Sequence, residues 1–157
     1  MLLKLAEELS LGASVDEVWK LLRDTPRLTS LLPGVESVAP LPEEEKEAYA
    51  AKVSDRIGPF KITMNLEVRI TEAVELSLLK AALKGADSMG LNRVTGSLQI
   101  ALRPAVSGTQ MNFEASIEVL GKLATLGAVP IRRRTTQVFA EFAKNIQGQF
   151  APSAGAA

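Results

Sequence analysis

An acidic side chain in step with an apolar strand face is the first feature of this sequence that could do chemistry. Asp55 shares its parity with Tyr49, Val53 and Ile57. If that face lines an apolar cavity, the carboxyl has a raised pKa and can act as acid or base. The competing reading puts Asp55 at a strand end, in water beside the Gly58-Pro59 turn. The rarity of buried Asp favours this second reading. Glu7 shares the parity of Leu5 and Leu9, and a bulge turning it outward is expected there. Tyr49 is the only tyrosine. It could donate to a ligand carbonyl from a cavity wall or cap the sheet with its hydroxyl in water, and both readings stay open. Trp19 reads as a core anchor for a helix. The basic run Arg132-Arg133-Arg134 could hold an anion, a membrane surface or an acidic partner. Three consecutive helical residues spread over about 200°, so a solvated helix start is the expectation.

What is missing narrows the chemistry further. The sequence holds no cysteine and no histidine. Disulfides, iron–sulfur clusters and thiolate nucleophiles are excluded. A zinc site without Cys or His is against all common practice, and the usual general base near neutral pH is absent. No metal, no cofactor and no catalytic residue are therefore expected, and the chain does not read as an enzyme. Glycine-rich stretches such as Gly85 to Gly90 lack nucleotide-motif spacing. The 18 basic and 18 acidic residues cancel, so there is no general attraction to nucleic acid, and none is expected as a partner.

The elements that must position these residues follow from periodicity. Leu3, Leu5, Leu9 and Leu11 alternate with polar residues and predict a first strand. Ser14-Val15-Asp16-Glu17 reads as a capping box opening a short helix with Val15, Val18, Trp19 and Leu22 on one face. Thr25 as N-cap and Pro26 at the first position open a second, closed by Pro33-Gly34. A period of two then takes over. Strands are expected over Val35 to Ala39, Tyr49 to Ile57, Phe60 to Thr71, Leu76 to Lys84, Val94 to Leu102 and Met111 to Val119, with a turn over Pro40 to Glu45. Gly96 inside a strand signals a bend or bulge. The helical period returns with Leu123, Leu126, Ile131, Val138, Phe142 and Ile146, and Pro130 either kinks that helix or starts its second part.

The 157 residues suit one domain over 1–150, with a disordered tail at 151–157. The fold class is α+β: a curved antiparallel sheet of about seven strands wrapped around a long C-terminal helix, with two short helices after the first strand. A bent sheet gripping a helix leaves a cavity, the default ligand site. Its walls are expected from Tyr49, Val53, Asp55, Met64, Leu66, Val68, Leu79, Leu83, Leu98, Ile100, Phe113 and Ile117 on the sheet, and Val138 and Phe142 on the helix. The N-terminus lacks a signal-peptide core and no stretch is apolar for ~18 residues. A cytoplasmic protein without a transmembrane segment is expected.

Several local words carry a resemblance. They are Val18-Trp19-Lys20-Leu21-Leu22-Arg23-Asp24-Thr25-Pro26, Leu31-Leu32-Pro33-Gly34-Val35, Ile57-Gly58-Pro59-Phe60 with Arg69-Ile70-Thr71-Glu72, and Gly121-Lys122-Leu123-Ala124-Thr125-Leu126-Gly127. In these the chain resembles the carbon monoxide dehydrogenase G-subunit family, within the START-like superfamily of birch pollen allergen and polyketide cyclases. The resemblance implies a helix-grip fold and an accessory protein that holds an apolar small molecule, lipid- or quinone-like. It implies a molybdenum hydroxylase complex as partner. Longer members continue into a segment suited to peripheral membrane contact, whereas this sequence stops soon after Phe150. The superfamily also implies two alternatives: a cyclase-like enzyme using Asp55 or Glu7 with Tyr49, and a protein-docking module.

Overall fold

The computed structural model describes residues 1–42 and 47–150. The expected tail and part of the expected Pro40 to Glu45 turn lie outside the described residues. Strand β1 (Leu2–Leu11) leads into helices α1 (Val15–Arg23) and α2 (Thr25–Ser30). Strands β2 (Val35–Pro40), β3 (Ala48–Ile57), β4 (Phe60–Val74), β5 (Leu78–Ala86), β6 (Asn92–Ala105) and β7 (Gly108–Gly121) follow. A 3-10 turn (Lys122–Leu126) then precedes the long helix α3 (Ala128–Gln149).

The sheet has seven strands in the order β1-β7-β6-β5-β4-β3-β2, and every neighbouring pair is antiparallel. This is the helix-grip α+β arrangement that the sequence predicts. The long alternating strands leave one face apolar, and α3 covers it with Ile131, Phe139, Phe142, Ala143 and Ile146, all buried. Pro130 falls in the first turn of α3, where a missing amide costs nothing, so it starts the helix instead of kinking it.

Local chemistry explains the boundaries. The Glu17 amide donates to Ser14 Oγ at 3.3 Å and fixes the start of α1. The cap of α2 differs from the expected Thr25. The Asp24 carboxylate accepts from the Arg27 amide at 3.2 Å, and the Asp24 carbonyl accepts from the Leu28 amide at 2.9 Å. Asp24 is therefore the N-cap, while Thr25 is buried with its hydroxyl unpartnered among the described residues. In the Leu-Pro-Gly word, Gly34 has φ 85°, and a Cβ there would lie 2.2 Å from the Ser54 carbonyl oxygen. Only glycine fits that crossing.

Two strand expectations are corrected. The β1–β7 register runs unbroken from Leu2 opposite Glu118 to Leu11 opposite Thr109. No bulge turns Glu7 outward; it stays in phase with Leu5 and Leu9, opposite Phe113, and is half-buried. Gly96 likewise carries no bulge, since it pairs in register with Leu83 and Ile117. Its need for glycine is steric: a Cβ would lie 2.6 Å from Ser116 O and 2.8 Å from Ile117 Cδ1.

One continuous core fills the middle of the grip. Ile100, Leu79 and Phe113 on the sheet are 0–2% exposed and Phe142 on α3 is 3% exposed. Phe113, Phe139 and Phe142 form a three-ring cluster with centroids 5.4, 5.6 and 6.4 Å apart. The C-terminal half of α3 is tied down by polar contacts. Arg27 Nη2 donates to Gln149 Oε1 at 2.7 Å, and Asn145 Nδ2 donates to the Leu31 carbonyl at 2.8 Å.

Candidate functional site

The grip opens at the other end of α3. There the inward residues of β3 (Val53, Asp55, Ile57), β4 (Ile62, Met64), β6 (Val94) and β7 (Ile117, Val119) face the turn residue Leu123 and α3 (Ile131, Arg134, Thr135, Val138) across a cavity of about 180 Å³. Register produces the wall: Val53 pairs with Met64, Asp55 with Ile62, and Val94 with Val119. On α3 the spacing of 131, 134, 135 and 138 puts one helical stripe over it. The space is smaller than the roughly 300–1,000 Å³ of usual small-molecule sites.

One ion pair interrupts these apolar walls. Arg134 Nε donates to both Asp55 oxygens at 3.1 Å, and Nη2 donates to Oδ1 at 2.7 Å. The side chains are 30% and 27% exposed, so the pair sits at the cavity edge and not in its depth. The fork-to-carboxylate geometry is the strong form of such a bond. The hydrogen bond that Arg134 donates to Asp55 raises the Arg134 pKa beyond its already high ordinary value, against the opposing effect of desolvation. Thr135 Oγ1 donates to the Ile131 carbonyl at 2.8 Å and is thereby committed to the helix backbone.

Of the residues singled out in the sequence, Val53, Asp55, Met64, Ile117 and Val138 come together here. Val68, Leu79, Ile100, Phe113 and Phe142 are buried in the packed centre, and Leu66, Leu83 and Leu98 are half-buried against it. Tyr49 is half-buried between Pro40 and Val68 on the neighbouring strands, away from the cavity. Asp55 faces α3 and not bulk water alone. The expected solvated helix start holds for Arg132 and Arg133, which are exposed, and is corrected for Arg134. Sequence reasoning missed Arg134 as a wall residue. Its signal was present: it lies three after Ile131 and four before Val138.

A second groove, about 180 Å³, shares Ile62 and Leu123 with the cavity and is completed by Phe60, Lys61, Leu91, Asn92, Lys122 and Leu126. Asn92 builds it. Its Nδ2 donates to Asp87 Oδ2 at 2.8 Å, and its Oδ1 accepts from the Leu123 amide at 2.6 Å. The Leu91 amide donates to Asp87 Oδ1 at 2.8 Å. Desolvation pushes the Asp87 pKa up, but the hydrogen bonds from Asn92, Leu91 and Gly90 outweigh it and leave the pKa lowered. N92A removes the side-chain bridge between the β5–β6 turn and the 3-10 turn. Chemical denaturation should show a loss of about 1–2 kcal/mol. A lowered folded-state pKa gives stability that is complete above the ordinary carboxylate range and lost as pH falls through the folded value. The same titration repeated at pH 3 should therefore show a smaller difference between N92A and the parent chain.

A wider hollow, about 580 Å³, lies on the opposite face of the sheet. Outward residues line it: Lys4, Ala6, Lys80, Ser97, Gln99, Glu114 and Ser116. Charged and hydroxyl groups open to water suit a solvated sheet surface better than an apolar ligand. Among the described residues, no group of three or more acidic side chains is placed to hold a metal ion, and no helix is long and apolar enough to cross a membrane.

Residues 8–151 match the family of the carbon monoxide dehydrogenase G subunit, CoxG. The chain belongs to that family. A conserved protein from Geobacillus kaustophilus has the same fold as this CoxG-family chain, with a TM-score of 0.81, 26% identity and 95% of each chain covered. A START superfamily protein from Mycobacterium smegmatis aligns with a TM-score of 0.68 at 12% identity, covering 95% of this chain and 96% of that one. The Zhui aromatase/cyclase from Streptomyces sp. R1128 aligns with a TM-score of 0.63 at 15% identity, over 100% of both chains. The last two likenesses concern the fold. No curated protein matches the chain.

Proposed function

We propose that this CoxG-family chain binds an apolar small molecule, lipid- or quinone-like, in the cavity between sheet and α3, as a non-catalytic accessory protein. The observation that carries the reading is the wall itself. Ten of its side chains are aliphatic or Met, and its charged groups are already paired with each other. An apolar hollow of this kind gains by exchanging water for hydrocarbon. The modest size suits the end of a chain or a compact ring system better than a whole lipid. A cyclase-like role has less support. Asp55 is held by Arg134, and Tyr49 lies outside the cavity, so the expected Asp55 and Tyr49 are not brought together as an acid–base pair. The neighbouring groove, with exposed Phe60 and Leu91 beside Lys61 and Lys122, suits contact with a partner surface, and the family name points to a carbon monoxide dehydrogenase complex.

Mass spectrometry on an organic extract of the purified chain tests the proposal. A stoichiometric apolar compound, absent from an unrelated protein prepared alongside, is the expected result. An empty protein that also leaves the fluorescence of the neutral apolar dye N-phenyl-1-naphthylamine unchanged would sink it.

A further inference from the structure

The apolar cavity has one polar feature, and its charge state says what kind of head group it can meet. The significance of that feature rests on the cavity being a ligand site, as proposed above. Arg134 has five N–H donors. Nε and one N–H of Nη2 are spent on Asp55, and Nη1 reaches Gln137 Oε1 only at 3.5 Å. At least one further N–H on each terminal nitrogen is left without a described protein partner, on a side chain that borders the cavity. The pair as a whole is neutral. It therefore offers directed donors without a net positive field. Among the other wall residues, Thr135 is the one with a polar side chain, and its hydroxyl proton is committed.

We propose that the Asp55–Arg134 pair is the polar recognition point of the cavity, and that it selects an apolar molecule ending in a neutral carbonyl over one ending in a carboxylate. A ketone, ester or amide oxygen accepts from the unspent N–H groups while its hydrocarbon replaces water along Ile117, Val138 and Met64. A carboxylate reaching the same donors meets Asp55 a few ångströms away. It must either compete for Arg134 or add a second negative charge beside it, and no other described wall residue is a cation that could receive it. Asp55 thus acts as a filter by neutralising the one charge that would attract fatty-acid-like anions.

The test is displacement of N-phenyl-1-naphthylamine, at pH 7.5, by 2-decanone and by decanoate. Wild-type protein should bind the ketone about tenfold more tightly than the carboxylate, or better, the size expected for one hydrogen bond from a charged donor. In R134L the ketone should weaken about tenfold while the dye still binds. In D55N, which keeps the shape and frees the cation, decanoate should become the better ligand. Should R134L fail to fold by circular dichroism, the inversion in D55N decides alone. Equal displacement by the two ligands in wild type, or no change of order in D55N, overturns the proposal while dye binding leaves the cavity reading intact. No dye binding by wild-type protein is failure of the cavity reading itself.

Discussion

F113A should destabilise this chain strongly, costing about 3–5 kcal/mol in chemical denaturation. Phe113 is 2% exposed and is the ring that both Phe139 and Phe142 touch, at 5.4 and 5.6 Å. It also pairs with Ile100 on β6 and with Glu7 on β1, so its side chain joins three strands to the helix. Truncation removes a large buried area, both aromatic contacts and the support beneath α3. In a chain of this size the melting temperature should fall by about 6–20 °C. A loss below ~1 kcal/mol would mean that α3 settles into the gap, and that the packed centre is softer than its burial implies. The same variant separates packing from binding. Phe113 lies outside the cavity wall, so dye affinity measured well below the melting point should stay within a few-fold of wild type.

The contrast between the two ends of α3 is the physical basis of the site. At its C-terminal half, large rings fill the space and Arg27 and Asn145 tie the helix to α2. At its N-terminal half, Val, Ile and Met side chains meet small or branched neighbours, and glycine at 96 brings β6 close to β7 beside Ile117. The helix is held there by a side-chain ion pair at the rim.

Much of this was legible in the residue order. Alternation over Phe60 to Thr71 and Met111 to Val119 specified two strands and their inward faces, because a period of two leaves no other way to bury one side. Parity also named Val53, Met64 and Ile117 as inward, and it put Asp55 on the same face, although the rarity of buried Asp had favoured water for it. Parity does not say how far along the sheet the helix touches down. Leu79, Ile100 and Phe113 have the same inward phase as Ile117, yet they pack while Ile117 borders open space. That difference comes from where the rings of α3 land, which depends on tertiary placement. The Asp55–Arg134 contact joins residues 79 apart in sequence, and only the wrapped sheet brings them together. The missed α2 cap is a local case: Asp24 and Thr25 are both good caps, and the choice fell to the one whose own carbonyl accepts the first helical bond.

Filling the open end should abolish binding without unfolding the protein. Val138 is half-buried on the α3 stripe that faces Val53, Met64 and Ile117, and its side chain projects into the cavity edge. V138W places an indole where the ligand would lie. Because the space already exists and one side is open, overpacking strain should stay near ~1 kcal/mol, at the low end for small-to-large changes. Affinity for N-phenyl-1-naphthylamine should fall by more than tenfold, and V138A should retain it, since a smaller residue only widens the hollow. Retained binding in V138W would place the dye elsewhere, in the groove bordered by Phe60 and Leu91 or on the outer sheet face. F60A and a charge change at Lys80 then tell those two apart. Loss of binding in V138W together with loss in F60A would instead show one continuous channel, with the groove as the entrance and the Asp55–Arg134 end as the seat.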